Sequence, residues 1–183
     1  MYGSSPPANR PGIAPEIVTW ADSSDLRQLE KDIAELREQA DVVVASFHWG
    51  LREEVLHYMT EIARRAVDAG AGIVIGHGPH FSLPVEIYKA KPVFYGLGSF
   101  SFHTGHRGRR HGDWLGMMAR ISWSREQIER AAFQFVRHDD RNRTVPRGAG
   151  EEKAAFDEIA RRSAELGAKI AIRGDEILVD LRA

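Results

Sequence analysis

Gly72-Ile73-Val74-Ile75-Gly76-His77-Gly78-Pro79-His80 is the stretch that decides the fold. A short apolar run that stops at glycine and histidine reads as a buried strand handing polar groups to its C-terminal end. A second run, Asp41-Val42-Val43-Val44-Ala45-Ser46-Phe47, ends the same way in His48-Trp49-Gly50. Its continuous apolar content predicts a strand covered on both faces. Between the two, residues 52–69 repeat Val55, Met59, Ile62 and Ala66 at helical spacing, with Gly70 as the stop. A strand, helix, strand unit of this kind is right-handed and parallel. Both strand ends then lie on one edge, and neighbouring strands stand about 4.8 Å apart. His48 and His77 therefore face one crevice, at the edge where open α/β sheets bind ligands.

Working outward, Ser23 or Ser24 caps a helix reaching Gln39, with Leu26, Leu29, Ile33 and Leu36 on its apolar face. Residues 1–19 read as a loop, broken by Pro6, Pro7, Pro11 and Pro15. Beyond His80, residues 85–88 and 92–95 alternate around Lys89-Ala90-Lys91 as a hairpin does. Residues 117–123 and 128–136 read as two more antiparallel strands. Residues 137–149 read as a linker, and a helix near 151–166 precedes a terminal hairpin that turns at Arg173-Gly174-Asp175. The organisation expected is a core over 20–136 and a C-terminal helix and hairpin over 150–183 packed on it. The class expected is α/β.

Composition narrows the function. The chain of 183 residues is 43% hydrophobic and 28% charged, enough to bury a core and keep a polar surface. A net charge of -1 gives no whole-surface attraction to nucleic acid. No apolar run approaches the roughly 18 residues that a membrane span requires. Cysteine is absent, which excludes disulfides and thiolate chemistry. Any metal must be held by His, Asp, Glu or Asn.

Neutral imidazole is the commonest protein metal ligand, and strand ends are rigid anchors for it. His48, His77 and His80 are accordingly candidate ligands for one or two divalent ions. The same spacing also fits core or turn-capping histidines. Residues 103–111, His103-Thr104-Gly105-His106-Arg107-Gly108-Arg109-Arg110-His111, form the one strongly basic stretch. Arg107, Arg109 and Arg110, with His103, can clamp a phosphate or carboxylate, since guanidinium pairs with both in bidentate fashion. A solvated loop gives the same pattern. Glu86 and Asp113 are the nearest acidic groups, candidates for a general base, a further ligand or substrate contact. Trp49 and Trp114 read as walls of the crevice. His57, on the exposed side of its helix, and His138, in the linker, are given no role.

These stretches resemble the CapA family of bacterial poly-gamma-glutamate capsule biosynthesis proteins. The resemblance rests on residues 46–50, on 68–80, on Glu86-Ile87-Tyr88 and on Pro92-Val93-Phe94-Tyr95-Gly96-Leu97-Gly98-Ser99-Phe100, in that order and spacing. It covers roughly residues 10–125. It implies a fold similar to the calcineurin-like metallophosphatases, a two-sheet sandwich flanked by helices with a metal centre at strand ends. His48 matches the family's His-Trp-Gly histidine, and His80 the last histidine of its Gly-x-His-Pro-His motif. Many members carry the first histidine of that motif one residue later, at the position of Gly78, whereas a subgroup has the Gly-His-Gly-Pro-His form seen here. Gly72 stands where aspartate is usual. Ser99, a candidate substrate contact, stands where asparagine is usual.

The resemblance implies metal-dependent hydrolysis at His48 and His80, with Mn, Fe, Zn or Mg as the ion. An anionic polymer, or a phosphorylated or carboxylated substrate, is the implied ligand, and other capsule biosynthesis components are the implied partners. It also implies a bacterial, membrane-associated or extracytoplasmic setting. The acidic and asparagine motifs that open the family's first strand have no counterpart here. The chain is therefore expected to be the C-terminal part of a longer protein, and marginally stable alone because a half-sandwich exposes a sheet edge. A non-catalytic polyanion-binding component and an inactive fragment are the competing readings.

Overall fold

A computed structural model describes residues 23–50, 53–101, 114–125, 127–141 and 143–182. The chain opens with helix α1 (Ser23–Arg37), strand β1 (Val44–His48), helix α2 (His57–Asp68) and strand β2 (Ile73–His77). β1 and β2 pair in parallel, with Val44 opposite Ile73 and His48 opposite His77. Strands β3 (Val85–Tyr88) and β4 (Lys91–Phe94) form a hairpin, and β4 pairs in parallel with β2. The first sheet thus runs β1-β2-β4-β3.

A second sheet follows. Strands β5 (Gly116–Ser124) and β6 (Gln127–His138) pair along their length, and β7 (Thr144–Arg147) returns onto the end of β6. Helix α3 (Lys153–Glu165) precedes β8 (Lys169–Arg173) and β9 (Glu176–Asp180), and β9 docks antiparallel on β6. The architecture is an α/β sandwich of two sheets flanked by helices, as the sequence leads one to expect. Strand β7 lies inside the stretch read as a linker.

Two apolar layers hold it together. On one side of the first sheet, Leu29 and Ile33 of α1 and Met59, Ala63 and Ala66 of α2 bury against Ala45, Val74 and Val93. On the other side Val85, Ile87 and Phe94 meet Met117, Phe133, Phe135 and Ile177 of the second sheet. Phe94 and Phe133 cross the interface edge to face at 6.4 Å. Each such fully buried side chain contributes about 1.5–3 kcal/mol.

The second layer reaches β3 and β4 but not β1. The expectation that residues 41–47 are covered on both faces fails for this reason. Among the described residues β1 is the outer strand of its sheet, with Ala45 buried and Val44 48% exposed. Helix α2 begins at His57 rather than near 52, so Val55 precedes it, and Met59, Ala63, Ala66 and Val67 form its buried face. Leu36, expected on the apolar face of α1, is also exposed.

Candidate functional site

Parallel pairing brings His48 and His77 to the same level at the C-terminal ends of β1 and β2. Their rings stand edge to face with centroids 5.7 Å apart. Ser46, two residues back on β1 and so on the same face, shares a 2.8 Å hydrogen bond with Nε2 of His77. Burial, and then the neighbouring His48, hold the His77 imidazole below its ordinary pKa. A lowered pKa favours the neutral ring, the form in which an imidazole coordinates a metal.

Trp49 locks this edge. Its indole Nε1 donates to the carbonyl of Tyr95 at 2.8 Å, and its backbone N–H donates to the carbonyl of His77 at 2.8 Å. The side chain therefore ties the end of β1 to the chain leaving β4, passing over β2. Only glycine fits beneath it. A Cβ on Gly76 would stand 2.2 Å from the Tyr95 carbonyl oxygen and 2.3 Å from the indole nitrogen. Gly78 has φ +121°, and a Cβ there would meet the Trp49 carbonyl oxygen at 2.4 Å. The position at which many relatives are expected to carry histidine is thus closed to a side chain here. The adjacent His77 is the imidazole that this segment presents at the strand end.

His80 is placed differently. Its Nδ1 shares a 2.8 Å hydrogen bond with Oγ of Ser99, which is buried. Its ring stands edge-on to Trp114, centroids 5.0 Å apart. The structure thus groups His48 with His77, and His80 with Ser99 and Trp114. Glu86 is buried on β3, where Nε and Nη2 of Arg64 donate to one carboxylate oxygen at 2.9 and 2.7 Å and the Tyr95 hydroxyl donates to the other. Burial, then this hydrogen bond, push the Tyr95 phenol pKa up. Glu86 is thus engaged by α2 and Tyr95. His103, Arg107, Arg109, Arg110 and Asp113 lie outside the described residues.

The metal expectation meets one test. Protein-bound divalent ions normally take three or four side-chain donors. Among the described residues no group of three or more His, Asp or Glu is arranged to hold an ion. The described residues therefore supply two imidazoles and do not by themselves fit a complete metal centre. No catalytic step follows from them alone.

His138, given no role above, is buried at the end of β6, and its Nε2 hydrogen-bonds the carbonyl of Phe100 at 2.9 Å. Thr144 of β7 donates to the same carbonyl. The second sheet thereby holds the segment that follows Ser99. Only the buried pattern of β6 could have signalled this. Among the described residues no helix is long and apolar enough to cross a membrane.

Comparison with known proteins fits the geometry. The family described as bacterial capsule synthesis protein PGA_cap matches residues 3–104, the stretch that carries β1 through β4 with His48, His77 and His80. The chain is 35% identical over 99 residues to the PGA biosynthesis protein CapA of Bacillus subtilis (strain 168), covering 53% of this chain and 24% of that protein. It is 38% identical over 88 residues to the capsule biosynthesis protein CapA of Bacillus anthracis, covering 44% and 20%. It is 38% identical over 60 residues to a probable polyglutamine synthesis accessory protein of Mycobacterium tuberculosis, covering 32% and 16%. The matched regions thus span a quarter or less of these relatives' lengths. With more than half of its residues inside the family match, the chain belongs to the bacterial capsule synthesis protein family PGA_cap.

Proposed function

We propose that this chain acts in the synthesis or export of a capsule-type anionic polymer, poly-gamma-glutamate or a related chain, through a divalent-metal site whose imidazole half is His48 and His77. The observation that carries the reading is the facing of those two rings across a parallel strand pair, 5.7 Å apart. The names of the relatives support the process: capsule biosynthesis, PGA biosynthesis and polyglutamine synthesis. Carboxylate donors must complete such a centre before it can hydrolyse a phosphoester-type bond, because two imidazoles leave a divalent cation under-coordinated. His80, hydrogen-bonded to Ser99, is the further polar group offered to substrate. Arg107, Arg109 and Arg110 provide the cationic character that an anionic polymer requires.

The test is metal content. The protein is dialysed against Mn, Zn, Fe and Mg in turn and its bound metal is measured. His48→Ala and His77→Ala should each abolish uptake, while folding, followed by circular dichroism, stays intact. Uptake unchanged in both variants would overturn the reading.

A further inference from the structure

Helix α3 lies outside the residues that the family matches, yet it builds one wall of a cavity at His80. The cavity has a volume of about 180 Å³. His80, Phe81 and Trp114 form one side, and Glu158 and Arg162 of α3 the other, with Glu53 also in the lining. Two further features make it a built site. The His80 ring is fixed on two sides, by Ser99 at 2.8 Å and by Trp114 edge-on. The Arg162 side chain is only 20% exposed, and its ion pair with Glu158 is loose, at 4.0 Å. Glu158 is also held by Arg161 at 2.8 Å, so its carboxylate is shared along the helix.

The walls thus offer an aromatic surface, one guanidinium and two carboxylates within a small space. A ligand bearing only negative charge meets Glu53 and Glu158. A ligand bearing only positive charge meets Arg162. A small body with both charges close together can meet Arg162 with its negative end and Glu53 or Glu158 with its positive end. The volume lies below the roughly 300–1,000 Å³ of pockets for drug-sized ligands, so the part of a ligand that enters it has the size of a single amino acid, free or at the end of a chain.

We propose that this cavity is a binding site for an α-amino-acid head group, the ammonium facing Glu53 and Glu158 and the carboxylate facing Arg162, and that α3 sets its selectivity. That head group has two sources. One is a free amino acid. The other is the amino-terminal residue of a γ-linked chain, which keeps its α-ammonium and α-carboxylate on one carbon. The choice of glutamate and of a γ-linked chain rests on the polymer named in the proposed function, whereas the cavity itself is independent of the metal site.

The experiment is calorimetric titration of the protein with L- and D-glutamate, N-acetylglutamate, glutamate α-amide and γ-glutamylglutamate. One or both hands of glutamate bind, and acetylation or amidation weakens binding about tenfold or more. γ-Glutamylglutamate binding more tightly than glutamate assigns the site to a chain end, and the reverse order assigns it to the free amino acid. Arg162→Glu loses the binding and Glu158→Gln weakens it, both with unchanged thermal melts, whereas Arg182→Glu, which follows β9 and does not line the cavity, leaves it intact. Three results overturn the proposal: no binding by any of the five compounds, N-acetylglutamate binding as tightly as glutamate, or full affinity in Arg162→Glu. Metal content measured on the same samples separates this failure from failure of the metal reading.

Discussion

Ser163 of α3 accepts a hydrogen bond from the backbone N–H of Val85 on β3 at 3.0 Å, and both residues are buried. An edge strand next to a helix normally leaves such a donor to water. Here the helix hydroxyl takes it, and this fixes α3 against the first sheet.

Ser163→Ala removes the acceptor and leaves a buried N–H unpaired. The cost should be about 1–3 kcal/mol, read from urea unfolding. A loss below a few tenths of a kcal/mol would show that the bond does not hold α3.

Gly76→Ala tests the lock under Trp49. The added Cβ meets a carbonyl oxygen and an indole nitrogen that are themselves bonded to each other, so neither can yield cheaply. A loss of about 3 kcal/mol is expected, the upper end of the overpacking range. Gly150→Ala, where a Cβ meets nothing within 4 Å, is the neutral control.

Ala90→Gly should stabilise. The β3–β4 turn places Lys89 at φ +50° and Ala90 at φ +59°, the left-handed region that two-residue hairpins require and that side chains disfavour. Relief of strain at Ala90, offset by the greater freedom of glycine in the unfolded chain, leaves a net gain of about 0.5–1 kcal/mol. Lys89 is best kept, since its ammonium pairs with Asp68 at 2.6 Å. A lower melting temperature for Ala90→Gly would contradict this account.

Acid should weaken the second sheet through Glu176. Arg130, then Arg120, hold its carboxyl below the usual carboxylate range. A pKa lowered by folding contributes stability that is fully present above the unfolded value, about 4.3, and is lost as pH falls through the folded one. The stability gap between wild type and Glu176→Gln should therefore be widest near neutrality and close below about pH 4. A gap independent of pH would remove the carboxylate as its source.

The strands that carry the histidines were legible because their signal is local. Continuous apolar runs closed by glycine and histidine need no knowledge of distant partners, and the parallel pairing that brings His48 and His77 to one edge follows from the helix between them. What was not legible depends on non-local packing. The exposed face of β1 follows from how far the second sheet reaches, which no property of residues 44–48 encodes. Strand β7 is short and contains Pro146, so it reads as a breaker. It exists because the end of β6 offers it a partner. The function of Trp49 could have been inferred from Gly76 and Gly78, since glycines beside a tryptophan mark a close approach. The separation of His80 from the other two histidines could not, because Ser99 and Trp114 come from later in the chain. The burial of Glu86 depends equally on Arg64 and Tyr95, neither of which its own sequence context announces.

The indole clasp also sets how this edge moves. The amide of Trp49 is bonded to the carbonyl of His77, and the amide of Leu97 to that of Gly76. Both bonds flank the bond from the indole to Tyr95, so opening of the clasp is expected to expose both amides together. The ends of three strands therefore belong to one cooperative opening unit, and those two amides should exchange with deuterium at a common free energy. An occupant bound to His48 and His77 would slow the pair together, giving a readout of occupancy that requires no assay of turnover.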